Sequence, residues 1–312
     1  MKDKSNYLEQ DPIWEKLGIE NQKQYLDEIY VKGRFHENVP SVIKDDFEIV
    51  ECLMFYSYFN YGLIDEAYGK ATRIFESSVE VRMEELELEK SPRFENLKTK
   101  LDRIQEYTTQ NLLHQYQALR GLRNTFAHHK SGRLMGITIV DIIVHVINMI
   151  NSLFLSKNQL VAQDTLLKEL ISTSNHLRDG VFVLENSRNR FLVYSSVPYA
   201  CWKNNGEKVK SFWMFHPVID AQEITENNVF LKPFCYHLKD IKFSKAGMKG
   251  VEIKSQEIIK VSKTIHEKDI GKYKNHCQLM KNTSPELKGI KTTLLNRTIN
   301  ISASKFLYEV AW

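Results

Sequence analysis

The chain has 312 residues, of which 42% are hydrophobic and 26% charged, and its formal net charge is +4. This length and composition are typical of one large or two ordinary globular domains, and they argue against a disordered chain. The first residues contain no apolar core of a secretory signal, and the four cysteines are scattered like reduced thiols. We therefore expect a cytoplasmic protein.

Charge is unevenly distributed along the chain. Residues 1–156 contain 19 basic and 24 acidic residues, whereas residues 157–312 contain 24 basic and 15 acidic residues. The segment 239–291 alone has 13 lysines against 6 acidic residues. A basic surface attracts polyanions, so we expect the second half to contact RNA, although the same lysines could form only a solvated face.

The N-terminal segment predicts one helix over residues 12–33. Asp11 is a suitable N-cap, Pro12 suits the first helical position, and Gly33 is expected to end the helix. Trp14 and Tyr25 are candidate buried residues. We interpret residues 1–39 as an N-terminal helical extension.

Four longer helices are predicted over residues 40–157, which we interpret as a helical bundle. They cover about Lys44–Tyr61, Ile64–Leu88, Ser91 to His129 with a break near 101–108, and Ile137–Leu155. Ser91 and Pro92 are typical of a helix start. The last helix is apolar on nearly every side and must be covered all round, by the bundle together with a second subunit or the C-terminal half. Its polar interruptions, including Asp141 and His145, argue against a membrane span.

Residues 158–312 predict a mixed α+β domain, which makes the whole chain α+β. A short helix is expected at Thr165–Ile171, and residues 181–184 and 191–194 flank a turn that is typical of a hairpin. Further strands are predicted at Ser211–His216, Asn228–Tyr236, Val251–Val261 and Thr298–Val310. We recognise no family for residues 160–312.

One stretch, residues 120–129, concentrates polar chemistry at the end of the third bundle helix. Arg120, Asn124 and His128 follow each other at i, i+4 spacing and lie along one face, with Arg123 beside it. A cation, an amide and an imidazole on one surface can hold a phosphate and move a proton beside it.

The sequence Arg123-Asn124-x-x-x-His128 resembles the RNxxxH signature of HEPN-domain ribonucleases, and the resemblance covers roughly residues 40–156. It implies a homodimer through the helical bundle, with the motif helices of two subunits facing each other. It also implies RNA cleavage by attack of the 2′-hydroxyl, without a metal or cofactor, to give a 2′,3′-cyclic phosphate and a 5′-hydroxyl. Such families often act as toxins or anti-phage defence effectors, so an antitoxin or regulatory protein is a possible partner besides RNA. We expect no association with a membrane.

The three motif residues have distinct expected roles. His128 is the acid/base or the main phosphate contact, because an unperturbed imidazole has a pKa of about 6.5. Arg123 stabilises the phosphate through its planar fork, and Asn124 orients both groups. The alternative is that these residues simply end a helix, with His128 capping carbonyl groups.

Three further residues support the motif in this interpretation. Arg120 adds positive charge and His129 substitutes or assists. Glu76, on the second bundle helix, orients Arg123, or else is an ordinary exposed glutamate.

Two other functions stay open. The protein could be a non-catalytic HEPN-like module that binds RNA or a nucleotide, or that regulates through dimerisation. Alternatively, the helical half is a scaffold and the C-terminal half holds the activity, which a cluster of polar side chains in a C-terminal pocket would favour. Cys235, His237, His276 and Cys277 could be zinc ligands, but their spacing matches no common zinc pattern.

Overall fold

The computed structural model describes residues 7–88, 95–128, 136–204, 206–219 and 232–312, and for residues 125–128 and 136–137 it describes the backbone alone. The chain divides into two compact units, one running to Val161 and the other spanning Ala162–Ala311, with Trp312 assigned to the first unit. Helices and an antiparallel sheet are both present, so the chain is α+β.

The first unit is helical. Its helices are α1 (Pro12–Lys16), α2 (Gln22–Glu28), α3 (Ser41–Ser57), α4 (Leu63–Glu85), α5 (Leu97–Arg103), α6 (Gln110–His128) and α7 (Gly136–Leu153), with a 3₁₀ turn at Gln105–Tyr107. The break predicted near residues 101–108 is therefore present. The predicted helix start at Ser91 and Pro92 lies outside the described residues, and α5 begins after Asn96, whose side chain accepts from Thr99 N.

The prediction of a single helix over residues 12–33 was wrong. Asp11 does cap α1, since its side chain accepts a hydrogen bond from Ile13 N. However, α1 ends at Lys16, and Gly18 takes a φ of +84°. Glycine adopts this left-handed conformation without steric cost, and the chain turns there before α2.

The two short helices pack against α3. Trp14 is fully buried, and its indole N–H donates to the Ser57 carbonyl at 2.7 Å. The buried Tyr25 hydroxyl donates to the Met54 carbonyl at 2.6 Å. Both bonds satisfy carbonyls near the end of α3, where the helix leaves them without helical partners.

The central helix of the first unit is α4, which contacts α3, α5, α6 and α7. The apolar helix α7 is covered within one chain, because most of its large apolar side chains are buried there; these include Ile139, Ile143, Val146, Ile147 and Ile150. The composition of α7 therefore does not require a second subunit to cover it.

The helix α8 (Lys157–Thr173) spans the boundary between the two units, which falls between Val161 and Ala162, and it is much longer than the predicted Thr165–Ile171. A 3₁₀ turn at Asn175–Leu177 leads to six strands: β1 (Phe182–Glu185), β2 (Arg190–Trp202), β3 (Lys210–Pro217), β4 (Phe234–Ser244), β5 (Gly247–Glu252) and β6 (Ile258–Lys263). Two helices follow, α9 (Glu267–Asn282) and α10 (Pro285–Val310).

The six strands form one closed antiparallel sheet in chain order. The predicted hairpin is present, with Phe182 opposite Val193, and the sheet closes where Phe182 also pairs with Lys263 of β6. Alternate side chains point inward and make the core of this unit, as the period of a strand requires. The buried core includes Phe182, Leu184, Val193, Trp213, Phe215, Leu238, Met248, Ile259 and Val261.

Two strand predictions in this unit were wrong, and a third is shifted. The segment 251–261 contains the end of β5, a turn in which Gln256 has a φ of +58°, and the start of β6. The segment 298–310 is helical, because Ser284 caps α10 at Leu287 N and Pro285 occupies its first turn. The strand predicted over residues 228–236 corresponds to β4, which begins at Phe234; residues 228–231 lie outside the described residues.

None of the helices in the described ranges has the length and apolar character needed to cross a membrane.

Candidate functional site

Glu76 and Arg123 meet where α4 and α6 pack together. One Glu76 carboxylate oxygen accepts a hydrogen bond from Arg123 Nη2 at 3.0 Å. The side chain of Glu76 is 23% exposed and that of Arg123 is 37% exposed, so the pair is partly shielded but open to solvent. Because the neighbours Ile74, Phe75 and Val79 of α4 are buried, Glu76 is held at the edge of the core.

Asn124 is the second partner of Arg123. Its side-chain oxygen accepts a hydrogen bond from Arg123 Nη1 at 3.1 Å. A guanidinium carries five N–H donors, and the described contacts of Arg123 use two of them. Within the described part of the chain, three donors of Arg123 and the side-chain NH₂ group of Asn124 therefore remain for a ligand. This arrangement presents hydrogen-bond donors and positive charge to an anion.

Arg120 points elsewhere. Its Nε donates to the Gln117 side-chain oxygen at 2.8 Å, within its own helix. The two arginines are thus held differently: Glu76 and Asn124 fix Arg123, whereas Arg120 is tied to the preceding turn. Of the two supporting residues that the structure describes, Glu76 contacts a motif side chain, whereas the described hydrogen bond of Arg120 goes to Gln117.

The predicted histidines are described only in part. His128 is the last residue of α6, and its side chain lies outside the described part of the chain. His129 lies outside the described residues altogether. The side-chain positions of Arg123 and Asn124 are therefore known, whereas the position of the His128 imidazole stays a prediction.

Gly121 does not lie at a close contact between two of the described helices. Among the described residues, and leaving aside the backbone of its own helix, a methyl group added at its Cα would meet no atom within 4 Å, and the residue is exposed on α6. Its place in the motif therefore has no packing explanation in the described structure.

One partly buried histidine was not identified from the sequence as a chemical group. Burial lowers the pKa of His145, on α7, to about 4, so that its ring is neutral at pH 7. In the sequence it only interrupted an apolar run.

A second set of polar side chains lies in the second unit, around Tyr194 of β2. The rings of His216 and His276 lie 5.7 Å and 4.7 Å from its ring, measured between centroids. The sequence interpretation considered His276 only as a zinc ligand. This group could have been predicted from the sequence only if the order of the strands had been known, because its histidines come from separate elements.

The zinc interpretation finds no support in the described ranges, which contain no group of three or more His, Cys, Asp or Glu side chains placed to hold a metal ion. His237 lies 3.7 Å from the Glu309 carboxylate, whereas His276 packs on Tyr194. The suggested zinc ligands His237 and His276 thus contact different groups of side chains.

Comparison with known proteins gives no relative: no family model matches the chain, and neither a curated protein nor a solved structure is significantly similar to it. We therefore infer its function from its own residues.

Proposed function

We propose that the chain is a HEPN-type endoribonuclease that cuts RNA without a metal ion and uses Arg123, Asn124 and His128. In this proposal α3, α4, α6 and α7 are the four-helix bundle of a HEPN domain. The observation that supports it best is the fixation of Arg123 by the Glu76 carboxylate, in a helix that ends at His128. An arginine held in one orientation with free N–H groups is suited to bind a phosphodiester.

The chemistry follows from the groups on α6. The RNA 2′-hydroxyl loses its proton and attacks the phosphorus, and negative charge grows on the phosphate oxygens. Arg123 stabilises that charge with its remaining donors, and the Asn124 NH₂ group adds a hydrogen bond. His128 takes or gives the proton, because an imidazole exchanges protons near neutral pH. The 5′-oxygen leaves with a proton, which yields a cyclic phosphate and a 5′-hydroxyl.

One copy of the motif supplies one histidine, whereas the reaction needs both a base and an acid. We propose a homodimer in which the two motif helices face one cleft, so that the second copy supplies the other imidazole and a second arginine. We further propose that the protein acts in the cytoplasm as a toxin or anti-phage effector. In this proposal an antitoxin or other regulatory partner restrains it.

Cleavage of total RNA by purified protein in EDTA tests the proposal. We expect wild type to cut, and Arg123→Ala and His128→Ala to lose activity by at least about 100-fold, the usual contribution of such groups. Arg103→Ala is the matched control, since this arginine of the same unit also pairs with a carboxylate, Glu95, at 2.9 Å. Equal activity of all four proteins would overturn the proposal.

If the purified wild-type protein does not cut RNA, two further experiments distinguish the explanations. If wild type leaves RNA intact yet binds it, and Arg123→Ala binds more weakly, the chain is a non-catalytic HEPN-like binding module. If cells tolerate His128→Ala but not wild type, the purified enzyme lacks its trigger.

A further inference from the structure

Three lysines lie side by side across three neighbouring strands of the closed sheet. Lys242 of β4 is directly opposite Lys249 of β5, and Lys249 is directly opposite Lys260 of β6. We call these three residues the lysine row. Because facing residues of neighbouring strands lie about 5 Å apart, the row is roughly 10 Å long.

The lysine row points to solvent. Successive side chains of a strand point to opposite faces of the sheet. The strand neighbours Phe243, Met248 and Val261 pack in the core inside the sheet, so the three lysines next to them lie on its outer face. All three lysines are exposed, and an extended ligand can therefore reach the whole row.

Most of the charge of the lysine row is not compensated by the protein. In the described part of the chain, none of the ion pairs includes Lys242 or Lys249. Lys260 lies 3.8 Å from the Glu185 carboxylate of β1, and both side chains are well exposed. An ion pair at that exposure is weak, so Lys260 can exchange it for another anion.

The register of the strands makes this arrangement unfavourable for the free protein. Like charges that face each other on neighbouring strands destabilise a sheet, and here two such pairs follow one another. An anion that lies along the row removes this repulsion. The phosphates of a nucleic acid follow one another at regular intervals along a strand, so a straight row of ammonium groups can meet successive phosphates.

We propose that the lysine row binds the phosphate backbone of RNA without regard to its base sequence. Binding of a phosphate backbone is inferred from the row alone, whereas the choice of RNA over DNA rests on the proposed ribonuclease function. The row belongs to the second unit and Arg123 to the first, so the row adds affinity for RNA and takes no part in the cleavage chemistry.

The salt dependence of RNA binding tests the row. A labelled single-stranded 2′-O-methyl oligoribonucleotide is the probe, because it cannot be cut through a 2′-hydroxyl, and its fluorescence anisotropy gives the Kd. We expect the triple variant Lys242→Gln/Lys249→Gln/Lys260→Gln to bind at least about tenfold more weakly at 0.1 M salt. The slope of log Kd against log salt concentration should fall by about 2, since each phosphate contact of a single strand contributes about 0.7. An unchanged slope and affinity, or a wild-type protein that does not bind the probe, would overturn the proposal.

Two further triple variants serve as controls. Lys274→Gln/Lys281→Gln/Lys288→Gln removes three exposed lysines of α9 and α10, so it changes the net charge equally and should bind nearly like wild type. If this variant loses as much affinity, binding depends on net charge and the proposal fails. Replacing the lysine row by three arginines keeps its charge and should preserve binding; a loss of affinity in this variant would also contradict the proposal.

Competition identifies the occupant of the row. Unlabelled DNA of the same length should displace the probe, because an ammonium group does not distinguish the two sugars. If polyglutamate or phosphatidylserine vesicles displace the probe equally well at equal charge, the row fits an acidic protein or a membrane, and the proposal fails.

Arg123→Ala separates this proposal from the ribonuclease proposal. If it binds the probe like wild type while the glutamine variant of the row does not, the row is supported whether or not the protein cuts RNA. If Arg123→Ala loses binding and the row variant keeps it, the row is not an RNA site, and the ribonuclease proposal is unaffected.

Discussion

Replacing Glu76 by glutamine removes the charge that holds Arg123 and keeps the size of the side chain. The carboxylate oxygen lies 3.0 Å from Arg123 Nη2, and both side chains are partly exposed. Ion pairs at such exposure contribute only about 0.2–1 kcal/mol to the free energy of unfolding. We therefore expect Glu76→Gln to lower the stability of the first unit by less than about 1 kcal/mol.

The loss of catalytic activity in Glu76→Gln should be larger than this small loss of stability can explain. Without its anchor the guanidinium can leave the position in which its remaining N–H groups meet the phosphate, and a displacement of about 1 Å can cost about 100-fold in rate. We expect kcat/KM for RNA cleavage to fall roughly 10- to 100-fold.

The assay compares initial cleavage rates of a labelled RNA with urea unfolding measured by circular dichroism. Glu80→Gln is the control, because Glu80 lies one turn later on α4 and pairs with Lys100 of α5 instead of with the motif. Wild-type activity of Glu76→Gln, or an equal loss in both variants, would refute the role of Glu76 as the group that positions Arg123.

Three predictions concern stability. Gly121→Ala should raise the free energy of unfolding by up to about 1 kcal/mol, because the site is open and alanine is the better helix former; a lower urea midpoint would contradict this. Trp14→Phe should lower it by about 1–3 kcal/mol, because the buried Ser57 carbonyl loses its donor; an unchanged midpoint would contradict this. For His276 the folded pKa of about 4 lies below the unfolded value of about 6.5, so only the unfolded chain is protonated between these values and stability should rise with pH across that window. His276→Asn should reduce this slope by up to about 1.4 kcal/mol per pH unit, and an unchanged slope would contradict the assignment of the slope to His276.

The sequence predicts the helical half well where local signals act alone. Asp11 caps α1, and the order of the long helices is that expected from their apolar periodicity. The prediction failed at Gly18, where a glycine in the left-handed conformation ends a helix within an otherwise continuous pattern. It failed again over residues 298–310, where β-branched residues outweighed the start signal of Ser284 and Pro285.

Long-range contacts explain what the sequence could and could not predict about the sites. Glu76 was one of several polar residues on its helix, and only the packing of α4 against α6 decides that its carboxylate meets Arg123. His216 of β3 and His276 of α9 both pack on the ring of Tyr194 in β2. No local pattern encodes that proximity, since it depends on strand order and on the path of the chain after β6.

The most direct test of the ribonuclease account is the chemistry of the cut ends. A defined RNA is incubated with the protein in EDTA, beside the same RNA carrying a 2′-deoxynucleotide immediately 5′ of the cleavage site, and the products are identified by mass spectrometry. If the protein is such a ribonuclease, the RNA yields a 2′,3′-cyclic phosphate and a 5′-hydroxyl, and no cut occurs at the deoxy position. Cleavage at the deoxy position, or cleavage that persists in His128→Ala, would contradict this account.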